Sequence, residues 1–144
     1  MGKKRIITKG SSGVDQGLKS RALDKLPKKK ITYGILNILS TYNNTIIAIS
    51  DEGGNVILSS SSGALGFKGA RKGTPYAASK VSELIAEKAK MLGIKDVGIK
   101  VRGIGAGRES AIRSFAAQGF NIGFIRDLTP IPHNGPKPPK PRRV

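Results

Sequence analysis

Three short runs rich in β-branched side chains, Ile31–Leu39, Thr45–Ser50 and Val56–Ser60, read as strands. Tyr42-Asn43-Asn44 separates the first two. Glu52-Gly53-Gly54-Asn55 supplies a tight turn into the third, because its glycines tolerate positive φ. Short connections predict an antiparallel meander. A helix follows: Thr74 suits the N-cap, Pro75 the first helical position, and Gly93 a left-handed stop. Within it Ala77, Val81, Leu84, Ile85 and Leu92 recur at three- and four-residue steps, so one stripe faces a core. Asp96–Arg102 then alternates, with Val97, Ile99 and Val101 on one side and Gly98, Lys100 and Arg102 on the other. Gly103-Ile104-Gly105-Ala106-Gly107 turns into a second helix with Ile112 and Phe115 inward, ending at Gly119. Phe120, Ile122 and Phe124 alternate along a last strand.

The order is βββαβαβ, an α/β fold with a mixed five-stranded sheet in a single layered domain. Crossovers joining parallel strands are right-handed. If both run the same way across the sheet, both helices lie on one face, which fits the one-sided apolar pattern of the last two strands.

Two stretches carry no period. Ser61–Thr74 holds Gly63, Gly66, Gly69 and Gly73 with Lys68, Arg71 and Lys72. Met1–Lys30 holds Gly, Ser and Lys, and reads as an arm that is disordered or ordered by a partner. It has no apolar run of the kind a secretory signal needs, and Asp15 and Asp24 oppose a mitochondrial presequence. The C-terminal stretch, with four of the chain's eight prolines within Pro136–Pro141, should be extended and stiff. The chain thus divides into an arm at 1–30, a domain at 31–130 and a tail at 131–144.

Charge changes this picture most. The 144 residues carry 26 Lys plus Arg against 9 Asp plus Glu, a formal net charge of +17. Residues 1–30 hold +8 and residues 131–144 hold +4, so both ends are basic while the domain between them is nearly balanced at +5. Such self-repulsion calls for a polyanion, and nucleic acid is the first candidate, since each neutralised phosphate releases counterion. A membrane surface fits less well, because no basic amphipathic helix with Trp or Phe on its apolar face is present. No apolar run is long enough to span a bilayer, and the chain is expected to be soluble.

Catalytic chemistry is poorly supplied. Cysteine is absent, His133 is the one histidine, and no acid stands in the first strand. A lone imidazole without a nearby carboxylate makes no metal site, and two-metal hydrolysis needs clustered acids. We expect neither an enzyme nor a cofactor. Gly103–Arg108 follows a strand and opens a helix, as a dinucleotide-binding turn does, with Asp127 near the spacing of a ribose-binding acid. Its sixth position is Arg108, though, where a glycine should let helix and strand pack closely. Free N–H groups at that helix start, with Arg108 beside them, would instead cradle phosphate. In the Gly63–Gly73 loop, Phe67 is placed to stack or wedge, and Lys68, Arg71 and Lys72 to meet phosphates. In Asn134-Gly135 the glycine leaves the backbone amide free to attack the Asn side chain and form a succinimide; a turn is expected there in the native state.

These motifs, taken together, resemble a known family. Asn43-Asn44-Thr45, Ser62-Gly63-Ala64-Leu65-Gly66-Phe67-Lys68-Gly69, Arg71-Lys72-Gly73-Thr74-Pro75-Tyr76-Ala77-Ala78, Val101-Arg102-Gly103 with Gly105, Gly107 and Arg108, and Thr129-Pro130-Ile131-Pro132-His133-Asn134-Gly135 are similar to small-subunit ribosomal protein eleven. The likeness runs through residues 31–144 in unbroken order and does not extend to residues 1–30. It implies a ribonuclease-H-like fold without catalytic acids, and a structural protein of the small-subunit platform that binds 16S-type ribosomal RNA. That place lies near the mRNA exit channel and the start-site helix cleft. Implied neighbours are small-subunit proteins seven, eighteen and twenty-one; no membrane contact and no homo-oligomer are implied. The cytoplasm is the expected location, in a bacterial ribosome first, with an organellar ribosome as the alternative. Carried over by position, RNA contact falls on Asn43, Asn44, Lys68, Arg71, Lys72, Arg108, His133 and Asn134. The tail adds the charges of Lys137, Lys140, Arg142 and Arg143. It also departs from the family pattern: Pro136-Lys137 stands where Cys-Arg is usual, and Pro141 replaces a basic residue. Two other classes compete, a nucleotide-dependent enzyme using Gly103–Arg108 and a sequence-tolerant nucleic-acid compactor.

Overall fold

The computed structural model describes residues 16–24, 26–27 and 30–143. The expected disorder or partner-induced order of residues 1–15, 25 and 28–29 therefore falls outside the described residues. The elements are α1 (Gln16–Asp24), β1 (Tyr33–Ser40), β2 (Thr45–Ser50), β3 (Val56–Ser61), α2 (Pro75–Met91), β4 (Asp96–Gly103), α3 (Gly107–Ala116) and β5 (Asn121–Asp127). Strand order is β3-β2-β1-β4-β5. β1 pairs antiparallel with β2, and β2 with β3, while β4 lies parallel to β1 and β5 parallel to β4. The sheet is mixed and five-stranded, as the hydrophobic pattern predicts.

One side of the sheet carries the core. Leu36 and Ile38 of β1, Ile47 and Ile49 of β2, and Val97, Ile99 and Val101 of β4 are buried against Val81, Leu84 and Ile85 of α2 and Ala111 and Phe115 of α3. Both helices lie on this face and pack on each other. Ser82 Oγ donates to Ala111 O at 2.8 Å, and Ser110 Oγ to Pro75 O at 2.7 Å. Phe115 stacks on Phe120, ring centroids 4.4 Å apart. The caps of α2 form as read: Thr74 Oγ1 accepts from the Ala77 N–H at 3.3 Å, Pro75 opens the helix, and Gly93 sits at φ +82°.

Three features differ from expectation. The arm contains α1, whose sequence has little apolar period of its own; it is a helix because it docks. Lys19 Nζ donates to Glu87 Oε1 of α2 at 2.9 Å, and Leu23 and Leu26 pack against the core cluster. A nine-residue helix is marginal without such support. The Ser61–Thr74 stretch is two 3₁₀ turns, Gly63–Leu65 and Gly69–Gly73, and Phe67 is buried at 8% exposure. Phe67 therefore fills the core and neither stacks on nor wedges into a ligand. Finally, Phe124 leaves the core face. The β4–β5 register shifts between Val97 and Gly98, pairing Val97 with Ile122 but Gly98 with Phe124. Each step along a strand reverses the face, so Phe124 turns to the uncovered side while Ile122 stays against the core.

Candidate nucleic-acid interface

Because β1, β3, β4 and β5 all run the same way, Ser40, Ser61, Gly103 and Asp127 end at one edge of the sheet. α2 follows β3 and α3 follows β4, so both helices begin at this edge. Ligands of open α/β sheets gather at the carboxyl ends of the strands, and here that edge holds the β1–β2 turn, the glycine-rich loop and the start of the tail.

Close backbone contact assembles them. A Cβ on Gly73 would stand 2.2 Å from Tyr42 O, and one on Gly103, at φ +103°, would stand 2.1 Å from Ser40 O. Only glycine allows the cationic loop and the α3 approach to clamp the end of β1 from two directions. Between them Thr41–Asn44 makes a tight turn: the Thr41 N–H donates to Asn44 O at 2.9 Å, and the Asn44 N–H to Thr41 Oγ1 at 3.1 Å. Asn44 Oδ1 accepts from the Thr45 N–H at 3.0 Å and lies 2.5 Å from Ser62 Oγ, which in turn lies 2.8 Å from Lys72 O. A backbone N–H fixes which end of the amide is oxygen, so Nδ2 is the end these bonds leave for a ligand. Ser62, fully buried, thereby ties the asparagine turn to the cationic loop.

Lys68 and Arg71 are exposed and Lys72 is half-buried. Among the described residues none of the three forms an ion pair, whereas Lys19, Lys80, Arg108 and Arg113 do. Asn43 is exposed beside them. The structure thus brings Asn43, Asn44, Lys68, Arg71 and Lys72 to one edge, with Asn43, Lys68 and Arg71 exposed there and Asn44 and Lys72 half-buried.

Arg108 reaches the same edge but is engaged. It donates to Gly103 O at 2.6 Å, to Thr129 Oγ1 at 3.4 Å, and to the Asp127 carboxylate. Asp127 also accepts from the Thr129 hydroxyl at 2.6 Å and the Thr129 N–H at 3.0 Å. These Thr129 bonds, with Arg108 after them, lower its pKa to about 2. The acid that a ribose would require is already occupied, and a Cβ on Gly105 would meet Thr41 O at 2.3 Å, so this turn presses on β1 instead of framing a nucleotide cleft.

The tail departs from this edge, with the Leu128 N–H on Val101 O at 2.7 Å and the Gly103 N–H on Thr129 Oγ1 at 3.2 Å. Beyond it His133, Asn134, Lys137, Lys140, Arg142 and Arg143 are exposed and without regular structure; Asn134 takes φ +56°, a left-handed turn. The fold does not gather these six into the cluster. Two residues passed over in the sequence belong beside it: Tyr42, 75% exposed on the asparagine turn, and Tyr76, 52% exposed on the first turn of α2. Tyr76 meets Phe67 edge-on at 6.0 Å, with Lys80 Nζ 5.6 Å from its ring. For Tyr76 the available signal was an aromatic just after the basic residues Arg71 and Lys72, and for Tyr42 an aromatic beside the two asparagines of a turn.

Among the described residues no group of three or more His, Cys, Asp or Glu could hold a metal ion, and no helix is long and apolar enough to cross a membrane. A family model described as Ribosomal protein S11 matches residues 34–143.

Proposed function

The chain belongs to the ribosomal protein S11 family, and from that membership we propose that it binds 16S-type ribosomal RNA through the edge where Asn43, Asn44, Lys68, Arg71 and Lys72 meet. Membership makes it a small-subunit ribosomal protein, of a structural class and not an enzyme class. The observation that carries the RNA reading is the loop of Lys68, Arg71 and Lys72, free of ion pairs among the described residues and tied at Lys72 O, through Ser62, to the oriented amide of Asn44. Cations on a fixed loop neutralise phosphates, while an amide donor, the exposed Tyr42 and the exposed Tyr76 suit backbone oxygens, 2′-hydroxyls and unstacked bases.

In this reading the tail extends the same surface. His133, Asn134, Lys137, Lys140, Arg142 and Arg143 leave from Thr129 into RNA grooves, their order supplied by the RNA. Arg108 serves chiefly to fasten β5 and the tail root to the start of α3, and reaches phosphate only through its remaining donors. The site belongs in the subunit platform near the mRNA exit channel and the start-site helix, with proteins seven, eighteen and twenty-one as neighbours, as the family resemblance implies.

The test is binding of the full chain to small-subunit RNA and to duplex DNA of equal length at several salt concentrations. A clear preference for the RNA is expected. Equal affinity for both would favour a sequence-tolerant compactor and overturn the reading.

A further inference from the structure

The two helices cover one face of the sheet and leave the other bare. On the bare face Leu39 of β1 stands opposite Ile46 of β2 on one side and Arg102 of β4 on the other. One row along, Asn37 stands between Ala48 and Lys100, and Lys100 faces Arg126 of β5. Leu39 and Ile46 are 37% and 41% exposed, and Arg102 and Arg126 are exposed. Among the described residues Lys100, Arg102 and Arg126 enter no ion pair. Asp96, the acid in line with them on β4, sits at the far end of the strand and accepts from Asn121 Nδ2 at 3.1 Å. The β3 side of the aliphatic strip is bordered by Ser59 and Ser61, which carry no charge.

We propose that this face is a docking surface for a segment of a neighbouring protein in the assembled subunit, one that presents aliphatic side chains with carboxylates along a single edge. The proposal rests on the small-subunit reading above, and concerns a face separate from the RNA-binding edge. Strands lie about 4.8 Å apart, so the cationic stripe of β4 is roughly 10 Å from Ile46. That is about the width of one helix. An amphipathic segment lying over β1 and β2 would cover Leu39 and Ile46 while its acidic edge met Lys100 and Arg102. Electrostatic complementarity of this one-sided kind sets orientation as well as affinity.

RNA suits the face less well. Sheets that hold single strands do so with aromatic platforms on which bases stack, and the exposed residues at the centre of this one are aliphatic. Phe124, the aromatic on β5, has its ring against Gly98 and faces the Arg126 guanidinium at 4.9 Å.

The experiment places a benzoylphenylalanine photo-crosslinker at Ile46 in the full chain, with Asn43 as the position reporting RNA, and irradiates small subunits containing it. Position 46 is expected to link to a polypeptide segment bearing Asp or Glu. Yield per incorporated chain should fall at least about tenfold when Lys100→Glu and Arg102→Glu are added, since both changes set like charges against the acidic edge of the segment. Circular dichroism should show that these surface changes leave the fold intact. Linkage of position 46 to nucleotides, to a segment without acids or to nothing, or a yield indifferent to charge reversal, overturns the docking face while position 43 still reports RNA. Absence of the chain from subunits overturns the small-subunit reading, and the docking face with it.

Discussion

Arg108, on the first turn of α3, holds the carboxylate of Asp127 at the end of β5, nineteen residues later. The pair closes one corner of the sheet, with Thr129 bonded to both partners and to Gly103. A cation that sequence spacing offers to a phosphate is in the fold a fastener for the root of the tail.

This arrangement makes stability depend on acid in a defined window. Asp127 has its pKa lowered from 3.8 to about 2 by Thr129 and Arg108. A depressed folded-state value contributes stability above the unfolded pKa, which is lost as pH falls toward the folded one. Urea midpoints should therefore decline between about pH 4 and pH 2, and Asp127→Asn should flatten that part of the profile. Because Asp127 lies at the surface, the effect is expected to be small and weakened by salt. A profile identical to the parent's would show that the pair does not contribute to folding.

Replacing Lys68, Arg71 and Lys72 together by Ala should weaken RNA binding without lowering the melting temperature, since none of the three is held by an ion pair among the described residues. The log–log salt slope should fall by about 2–3, each phosphate contact contributing roughly 0.7–0.9. Filter binding at four or five salt concentrations measures it; an unaltered slope would place the phosphates elsewhere.

Gly73→Ala tests the clamp. Its Cβ would press on Tyr42 O at 2.2 Å, so the asparagine turn must move or the loop must lift. A cost on the order of 1–3 kcal/mol is expected from overpacking. Chemical denaturation reads the stability, and RNA affinity measured well below the transition reads the displaced Asn44. Full stability with full affinity would mean that the turn and loop are not rigidly joined.

Deleting Pro136–Val144 removes Lys137, Lys140, Arg142 and Arg143 from a stretch whose described residues are all exposed. The domain should melt unchanged, while RNA affinity and its salt slope both drop. If the slope is preserved, the tail does not lie on phosphate.

Local rules and tertiary rules divide what could be read from the residues. β2 and α2 were legible because alternation, a threonine cap and a proline act within a few positions. The cationic loop was legible as a break between strand and helix, because its glycines interrupt both periods, but its two 3₁₀ turns were not. α1 was hidden, since its helicity comes from Glu87 and the core side of α2, far along the chain. Phe124 was misplaced because a register shift against Gly98 depends on which strand becomes its neighbour. Phe67 was misread, and the Asp127 partner of Arg108 was missed, for one reason: a side chain's partner, core in one case and a carboxylate in the other, is chosen by topology and not by spacing.

The β2–β3 hairpin has a practical use. Because β2 runs back along β1, the turn from Asp51 to Asn55 lies at the opposite end of the sheet from Asn44, with the Asp51 N–H on Asn55 O at 3.0 Å and the Asn55 N–H on Asp51 Oδ1 at 2.8 Å. Six strand residues at about 3.3 Å each put roughly 20 Å between it and the basic loop. A fluorophore or affinity handle grafted at Gly53-Gly54 would ride on the molecule's far pole, reporting its arrival in a particle without standing in the way of what it grips.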